Sequence, residues 1–520
     1  MKKTIRLFLS VCIMISVFLG VFIGNPEQAD ARDGIGGFDG TGISQGEING
    51  KTTLSYQEYI FVTGEPILVK GTLVIGKTVK DNVTALTYSY KLNNRLPMVQ
   101  LTRDFTFETV STVKENGQTV TETSYTKEPS EKIVTAGKTY TLRTYDFTRT
   151  SLIDEKPAVS YYSGNSWYRK QYEISGGTGT SASGNFVTVE GTGEFYGFDQ
   201  YWGNADVEIT DLVIDYQEGV GADAESWSGT ANVRRSQSNV TGLRYVENEP
   251  NAISFRGGFL ETRKNDNVLE YQARLPEFTE NGISTDKIKR YSDSVQIETF
   301  PSTRRLISPD LRQIRGHWAE EALSKLFGLE ILRSGASQYN PEQYITRAEF
   351  ADAIISAAKS IPADPFIKLS NNRKKASPKK AVEPEPIFTD VPSTHVSFAQ
   401  IEEAYTRGLF LPMSKNEFSP NGHITVADAS VVFIRAMGLE SLASYHGAIT
   451  NFTDDDNIPD YARNALYVSS DIGLLRGDQD GNIHPNNVLT KGEAAVMIDR
   501  FVEYMREDLK DDYRDRMLDF

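Results

Sequence analysis

Cysteine is all but missing from this chain. The single residue, Cys12, lies inside the apolar run that opens a sequence of 520 residues. Beyond that run there is no disulfide, no thiolate nucleophile and no cysteine-ligated metal to consider. Histidine is nearly as scarce. All five, His317, His395, His423, His446 and His484, follow residue 305, so the stretch before it holds neither histidine nor cysteine beyond the opening run. That removes Ser-His-Asp and Cys-His catalysis, and histidine-bound zinc, from the N-terminal half. Positive charge is in deficit too: 55 Lys and Arg stand against 70 Asp and Glu, a net charge of −15. A nucleic-acid partner would favour a basic face, so the balance argues against one. After Ile23 no hydrophobic run approaches membrane-spanning length.

What is present begins with an export signal. Lys2, Lys3 and Arg6 precede an apolar run from Leu7 to Ile23, and Ala29-Asp30-Ala31 supplies a small-residue cleavage pattern. Residues 1–31 therefore read as a secretory signal peptide cut after Ala31, with an uncleaved anchor helix as the alternative. On the first reading the membrane is met only through this segment before cleavage. Residues 32–50 carry seven glycines and form a flexible lead-in or an extended segment laid on the next domain.

From 51 to 305 the pattern is β, and the expected fold is all-β, sandwich-like, in one domain or two. Thr106–Val113 and Thr119–Tyr125 alternate about Lys114-Glu115-Asn116-Gly117-Gln118, a hairpin cue. Tyr140–Tyr145 and Val207–Ile214 continue the alternation. Tyr161-Tyr162, Trp167-Tyr168, Phe195-Tyr196 and Tyr201-Trp202 are aromatic pairs suited to core packing or to stacking on sugars. Glu190, Glu194, Asp206, Glu208 and Asp211 are neighbouring carboxylates from which a glycosidase pair could come.

The remainder is organised by a repeat. Tyr339-Asn340-Pro341 leads into Ile345-Thr346-Arg347-Ala348-Glu349. The pattern returns as Phe418-Ser419-Pro420 with Thr425 and Asp428, and as Ile483-His484-Pro485 with Thr490 and Glu493; each proline precedes its threonine by five positions. Trp318, Val396 and Tyr461 precede the same threonines by 28, 29 and 29 residues. Thr-x-x-Glu is a capping box, and apolar residues at helical spacing follow it. Each copy thus reads as helix, loop, helix, and such a pair cannot bury its apolar faces alone.

These residues resemble a triplet of S-layer homology modules. Gly316-His317-Trp318-Ala319, Phe388-Thr389-Asp390-Val391, Phe452-Thr453-Asp454 and Ile472-Gly473-Leu474 carry the resemblance with the three boxes. Module 1 spans 306–362, a basic, proline-containing linker 363–386, module 2 387–446, module 3 447–508 and a charged tail 509–520. The resemblance implies an all-α pseudo-threefold bundle that anchors an exported surface protein, without covalent bonds, to secondary cell-wall polysaccharide, often pyruvylated. The remaining β-rich domain would then be displayed, as a structural, adhesive or self-assembling layer. A wall-anchored glycan-active enzyme is the alternative.

The expected binding residues are Trp318 and Tyr461, as flat faces for sugar, and Arg347 and Lys491, as cations at the rim of a helix N-terminus, where free amides favour anions. Arg347→Ala is expected to weaken retention on cell walls while leaving helical content intact. Thr346, Glu349, Thr425, Asp428, Thr490 and Glu493 are expected as capping residues. Copy 2 has Val426, Asp428 and Val396 at the key places, so copies 1 and 3 are expected to supply the better contacts. Asp478-Gln479-Asp480-Gly481-Asn482 resembles the start of a calcium loop but lacks the downstream ligand spacing. No catalytic residue, metal or cofactor is assigned.

Overall fold

The computed structural model describes residues 41–44, 53–176, 184–219, 224–246, 258–280, 282–297, 301–307, 309, 311–333, 335–359, 386–414, 416–443 and 447–513. The expected signal peptide, most of the expected lead-in, His446 and all but the last residue of the expected basic linker lie outside them.

The first half is β throughout. Its strands are β1 (Gly42–Ser44), β2 (Thr53–Ile60), β3 (Ile67–Lys80), β4 (Val83–Arg95), β5 (Met98–Val113), β6 (Thr119–Tyr125), β7 (Ser130–Thr135) and β8 (Thr139–Glu155). They continue as β9 (Val159–Ser175), β10 (Phe186–Gln200), β11 (Gly203–Glu218), β12 (Glu225–Val246), β13 (Gly258–Phe278), β14 (Ser284–Ile297) and β15 (Ser302–Ile307). All belong to one antiparallel sheet in which almost every strand pairs with its sequence neighbour; β7 bridges β5 and β8, and β15 extends the pairing of β13. This corrects the sandwich expected from sequence. Successive hairpins keep each strand beside the last, so the chain never crosses to a second layer.

The sheet covers its own apolar face by rolling up. Along β4, Leu86, Tyr88, Tyr90 and Leu92 turn inward, while Ala85, Thr87, Lys91 and Asn93 face water, the period-2 signature of a half-buried sheet. Tyr59 of β2 donates to Asp293 Oδ2 of β14 at 2.8 Å, and its ring centroid lies 4.4 Å from that of Tyr271 in β13. The first strands therefore meet the last, around one aromatic core. Close approach inside the roll requires glycine at position 191: a Cβ there would lie 2.4 Å from the Tyr168 ring.

Charges are also buried in the roll. The Arg103 guanidinium forks onto Glu58 with two 2.8 Å bonds and reaches Glu131 Oε1 at 2.7 Å, while Lys170 lies 3.3 Å from Glu131 Oε2. A second cluster joins Arg149 to Glu208 at 2.8 Å and Arg235 to both Glu208 and Asp206. Each cluster sets two cations against two carboxylates, as burial of charge requires.

The second half is helical: α1 (Glu320–Gly328), α2 (Arg347–Ala358), α3 (Phe398–Thr406), α4 (Val426–Met437), α5 (Arg463–Asp471), α6 (Lys491–Glu503) and α7 (Leu509–Asp512). A π-helical stretch, Tyr504–Asp508, joins α6 to α7. The first residues of the expected charged tail are thus helical, and Leu509 and Tyr513 are buried. Their apolar sides belong to the bundle core, which continues without a break into Phe198, Trp202, Phe259 and Leu306 of the roll.

This continuity is made by the C-terminal ends of the second helix of every copy. The Trp202 indole donates to Ala357 O at 2.9 Å, at the end of α2. Ala158 N donates to Ala436 O at 2.8 Å and Tyr161 Oη to Met437 O at 3.0 Å, at the end of α4. Gln200 donates to Met505 O, just past α6. Helix ends leave carbonyls without intrahelical partners; here the roll supplies the donors.

Lys359, beside this junction, stacks on Tyr201 and Trp202 with Nζ 4.4 and 4.9 Å from the ring centroids. Burial pushes its ammonium down to about 8, opposed by Glu261 and aided by Arg304 and Arg263. A lysine depressed on folding is charged in both states below that value, so its burial penalty is complete there. Its contribution to stability then rises with pH between about 8 and the ordinary 10.4. Reductive methylation with carbon-13, followed by NMR titration, is expected to show one lysine with a midpoint near 8; an ordinary midpoint for every lysine would contradict the placement.

Candidate functional site

Each copy turns on its threonine. Thr346, Thr425 and Thr490 sit at the N-caps of α2, α4 and α6 with extended dihedrals. Each accepts from the N3 amide, and the N3 carboxylates of Glu349, Asp428 and Glu493 return to the cap amides. The capping box thereby satisfies the third amide of each helix.

The first two amides are taken as well. Arg347 N and Ala348 N donate to Gly422 O (2.7 Å) and Pro420 O (3.1 Å); Val426 N and Ala427 N to Asn487 O (3.1 Å) and Pro485 O (2.9 Å). Lys491 N and Gly492 N donate to Gln343 O (2.8 Å) and Pro341 O (2.9 Å). Copy 1 leans on copy 2, copy 2 on copy 3 and copy 3 on copy 1. Short bridges Thr346–His423, Thr425–Val488 and Tyr344–Thr490 follow the same ring. The repeated proline thus serves the neighbouring copy through its carbonyl. The amides expected to stand open to an anion are spent on protein.

The acidic lead-ins act on the same loops. Asp390 accepts from Phe418 N at 2.9 Å and Ser419 N at 2.7 Å; Asp454 accepts from Ile483 N at 2.9 Å and His484 N at 2.8 Å. Ser419 and His484 have φ of 59° and 51°, a left-handed backbone uncommon without glycine. The carboxylates hold these turns closed. Sequence inspection sees the Phe-Thr-Asp triplets but has no means of telling what the aspartate grips.

Arg347 does not stand at a rim. It is 6 % exposed, donating from Nε to Phe418 O at 3.0 Å and from Nη2 to Leu411 O at 3.2 Å, between the rings of Phe410 and Phe418. Burial lowers its pKa, with Asp428 and Asp390 opposing. The guanidinium is a strut between copies 1 and 2. Lys491 is nearer the surface. Its Nζ lies 2.7 Å from Glu349 Oε1 and above the Tyr339 ring. Burial alone would raise Glu349, but its bonds to Lys491 and the Thr346 amide hold it below the usual carboxylate range.

Trp318, Val396 and Tyr461 each fall two residues before the first helix of their copy, rather than on its buried stripe. They are 62 %, 93 % and 62 % exposed. The helices they precede pack across copies, α1 on α6, α3 on α2 and α5 on α4. The Tyr461 hydroxyl donates to Asp428 Oδ1 at 2.8 Å, from copy 3 to the cap of copy 2, and burial with this bond pushes the phenol up to about 12. The Trp318 ring lies 5.3 Å from the His317 ring, which is bonded to Glu342 at 2.7 Å. A Cβ on Gly492 would stand 3.3 Å from Pro341 O and 3.4 Å from His317 Cε1, so the third box meets the first copy close to ordinary contact distance.

Most of the other candidate groups are occupied within the protein, and Glu194 is exposed. Asp478 accepts from Asp480 N and Asn482 N, each at 2.9 Å, and pairs with His484 at 2.8 Å. Among the described residues no three metal-ligating groups converge. In the roll, Asp206 and Glu208 share Arg235, Glu190 accepts from the Trp167 indole at 3.0 Å, and Asp211 accepts from Asn232 at 2.8 Å. Of the aromatic pairs, Tyr168 and Phe195 are core, whereas Tyr161 and Trp202 meet the bundle.

Residues 313–351, 387–429 and 451–495 match the S-layer homology domain. An exoglucanase of Acetivibrio thermocellus is 29 % identical over 196 residues, 37 % of this chain and 16 % of that protein. A surface-layer 125 kDa protein of Lysinibacillus sphaericus is 25 % identical over 198 residues, 37 % of this chain and 15 % of that protein. A cell surface protein of Thermoanaerobacter kivui is 25 % identical over 183 residues, 35 % of this chain and 20 % of that protein. This chain therefore spans a fifth or less of the length of these relatives. Their shared stretch is the repeat region.

Proposed function

We propose that the three S-layer homology domains act as one tether, holding this chain at the cell surface on cell-wall polysaccharide with the rolled sheet displayed. The ring of amide bonds supports a pseudo-threefold arrangement whose seams, rather than the copies themselves, are the binding units. The observation that carries the reading is the shared placement of Trp318, Val396 and Tyr461: exposed, and each two residues before a helix that packs on the capped helix of another copy. Solvent-exposed aromatics cost hydrophobic free energy unless something covers them, and sugar rings stack on such faces. Recognition of an acidic, pyruvylated sugar falls to Lys491, which would exchange Glu349 for the ligand carboxylate. Arg347 supports the seam from within. The copy 2 seam, with Val396 in place of an aromatic, is the weakest of the three.

Display is favoured over catalysis because four of the five carboxylates of the roll named above, Glu190, Asp206, Glu208 and Asp211, are engaged by arginine, indole or amide. The exoglucanase likeness concerns the repeats alone.

Co-sedimentation with purified cell walls tests the tether. Trp318→Ala with Tyr461→Ala is expected to lower wall affinity by about tenfold or more, equivalent to about 1.4 kcal/mol, with an unchanged melting temperature. Arg347→Ala should instead lower the melting temperature. Undiminished retention of the double variant would sink the seam assignment.

A further inference from the structure

Two arginines face each other on the outside of the roll. Arg274 of β13 is the register partner of Arg290 of β14, and both are exposed. Like charges directly opposed across an antiparallel pair are destabilising. A chain with 70 acidic residues has ample means to neutralise them. Yet among the described residues neither guanidinium is engaged in an ion pair or hydrogen bond. Arg103, Arg149, Arg235 and Arg304 of the roll are held by Glu58, Glu208, Asp206 and Glu261. Among the described residues, exposed arginines such as Arg169 and Arg234 also stand without such partners, and what sets Arg274 and Arg290 apart is that they face each other in register.

The surroundings suit a bound oxyanion. Register across β11 to β14 sets Val213, Thr230, Arg274 and Arg290 in one row and Asp211, Asn232, Gln272 and Ser292 in the next. The rows line a trough of about 550 Å³, within the usual range for ligand sites. Its carboxylate, Asp211, sits on β11, two strands away from Arg274, and is occupied by Asn232 at 2.8 Å. Next to the arginines are the uncharged hydrogen-bonding groups of Thr230, Gln272 and Ser292.

We propose that Arg274 and Arg290 form an oxyanion-binding site in the trough for a carboxylate or phosphate group, free or carried on a polymer. Guanidinium forks grip such groups through paired charge-assisted bonds. The ligand also supplies the negative charge that the fold withholds. This site is on the roll, far in sequence from the seams, and stands independently of the tether reading.

Titration calorimetry on the full chain at low ionic strength tests it with two probes, inorganic phosphate and polygalacturonate, a soluble chain of carboxylated sugars. Arg274→Gln with Arg290→Gln is expected to weaken binding by about tenfold or more, while Trp318→Ala leaves the change caused by the arginine variants intact. Preference for the polymer would assign a chain-borne group and equal affinity for phosphate a free one; either supports the site. Thermal unfolding supplies a second readout. Without probe, Arg290→Gln should melt no lower than the parent, because a repulsion is relieved, and probe should no longer raise its melting temperature. Failure of the parent to bind either probe, undiminished binding by the double variant, or a clear fall in melting temperature of Arg290→Gln without probe would each overturn the proposal.

Discussion

Arg103→Met is expected to destabilise the protein by about 3–5 kcal/mol, the cost typical of breaking a buried ion pair from one side. The direction follows from what remains. Glu58 and Glu131, each 1 % exposed at the side chain, would keep their charges inside the roll with Lys170 as the cation shown nearest to Glu131. Attraction in the interior compensates desolvation only while the pairing is complete. The rings of Tyr90 and Phe105, which lie 4.9 and 5.7 Å from the guanidinium carbon, would lose that contact as well. Urea unfolding followed by tyrosine fluorescence measures the change. Adding Glu58→Gln should recover part of the loss, because it removes one of the stranded charges. A single-variant loss below about 1 kcal/mol, the range of exposed pairs, would show that water reaches the cluster.

Trp202→Ala is expected to cost about 3–5 kcal/mol, the range for truncating a buried aromatic. Trp202 is fully buried where the roll meets the bundle. Its loss opens a cavity, strands the Ala357 carbonyl and removes one of the two rings under Lys359. Because the two cores meet here, the loss should appear equally in the helical signal and in the tyrosine signal of the roll, as one shifted transition. Separate transitions would show two halves that fold alone. Trp202→Phe, which keeps the ring but not the indole donor, should cost less, and the difference isolates the hydrogen bond to Ala357.

The hairpin about Gly117 illustrates what was readable from residues. The expected strand Thr119–Tyr125 has the observed bounds of β6, and Gly117 takes φ 86° in the turn. Local chemistry sufficed, since an Asn-Gly turn and flanking alternation need no distant partner. The same holds for the capping boxes, which close over three residues. Where the reading went astray, distance in sequence was the cause. Arg347 is one residue from its cap, but its side chain is spent on Leu411 and Phe418. Trp318 and Tyr461, expected as faces for sugar, are both exposed. Fifteen alternating strands fit two stacked sheets or one rolled sheet equally well, because alternation reports which face is buried and not against what.

By itself the sequence determined the local pieces: alternating strands, and three threonine-capped helix pairs at a near-constant spacing. These rest on interactions within a few residues, where side-chain chemistry and chain geometry leave little choice. Only the tertiary structure decided what those pieces face. It spent the free helix amides on neighbouring copies, buried Arg347, left Trp318 and Tyr461 exposed, and joined the roll to the bundle through Trp202. Such outcomes depend on contacts between residues tens to hundreds of positions apart, and burial of a given side chain is set by whichever surface arrives opposite it.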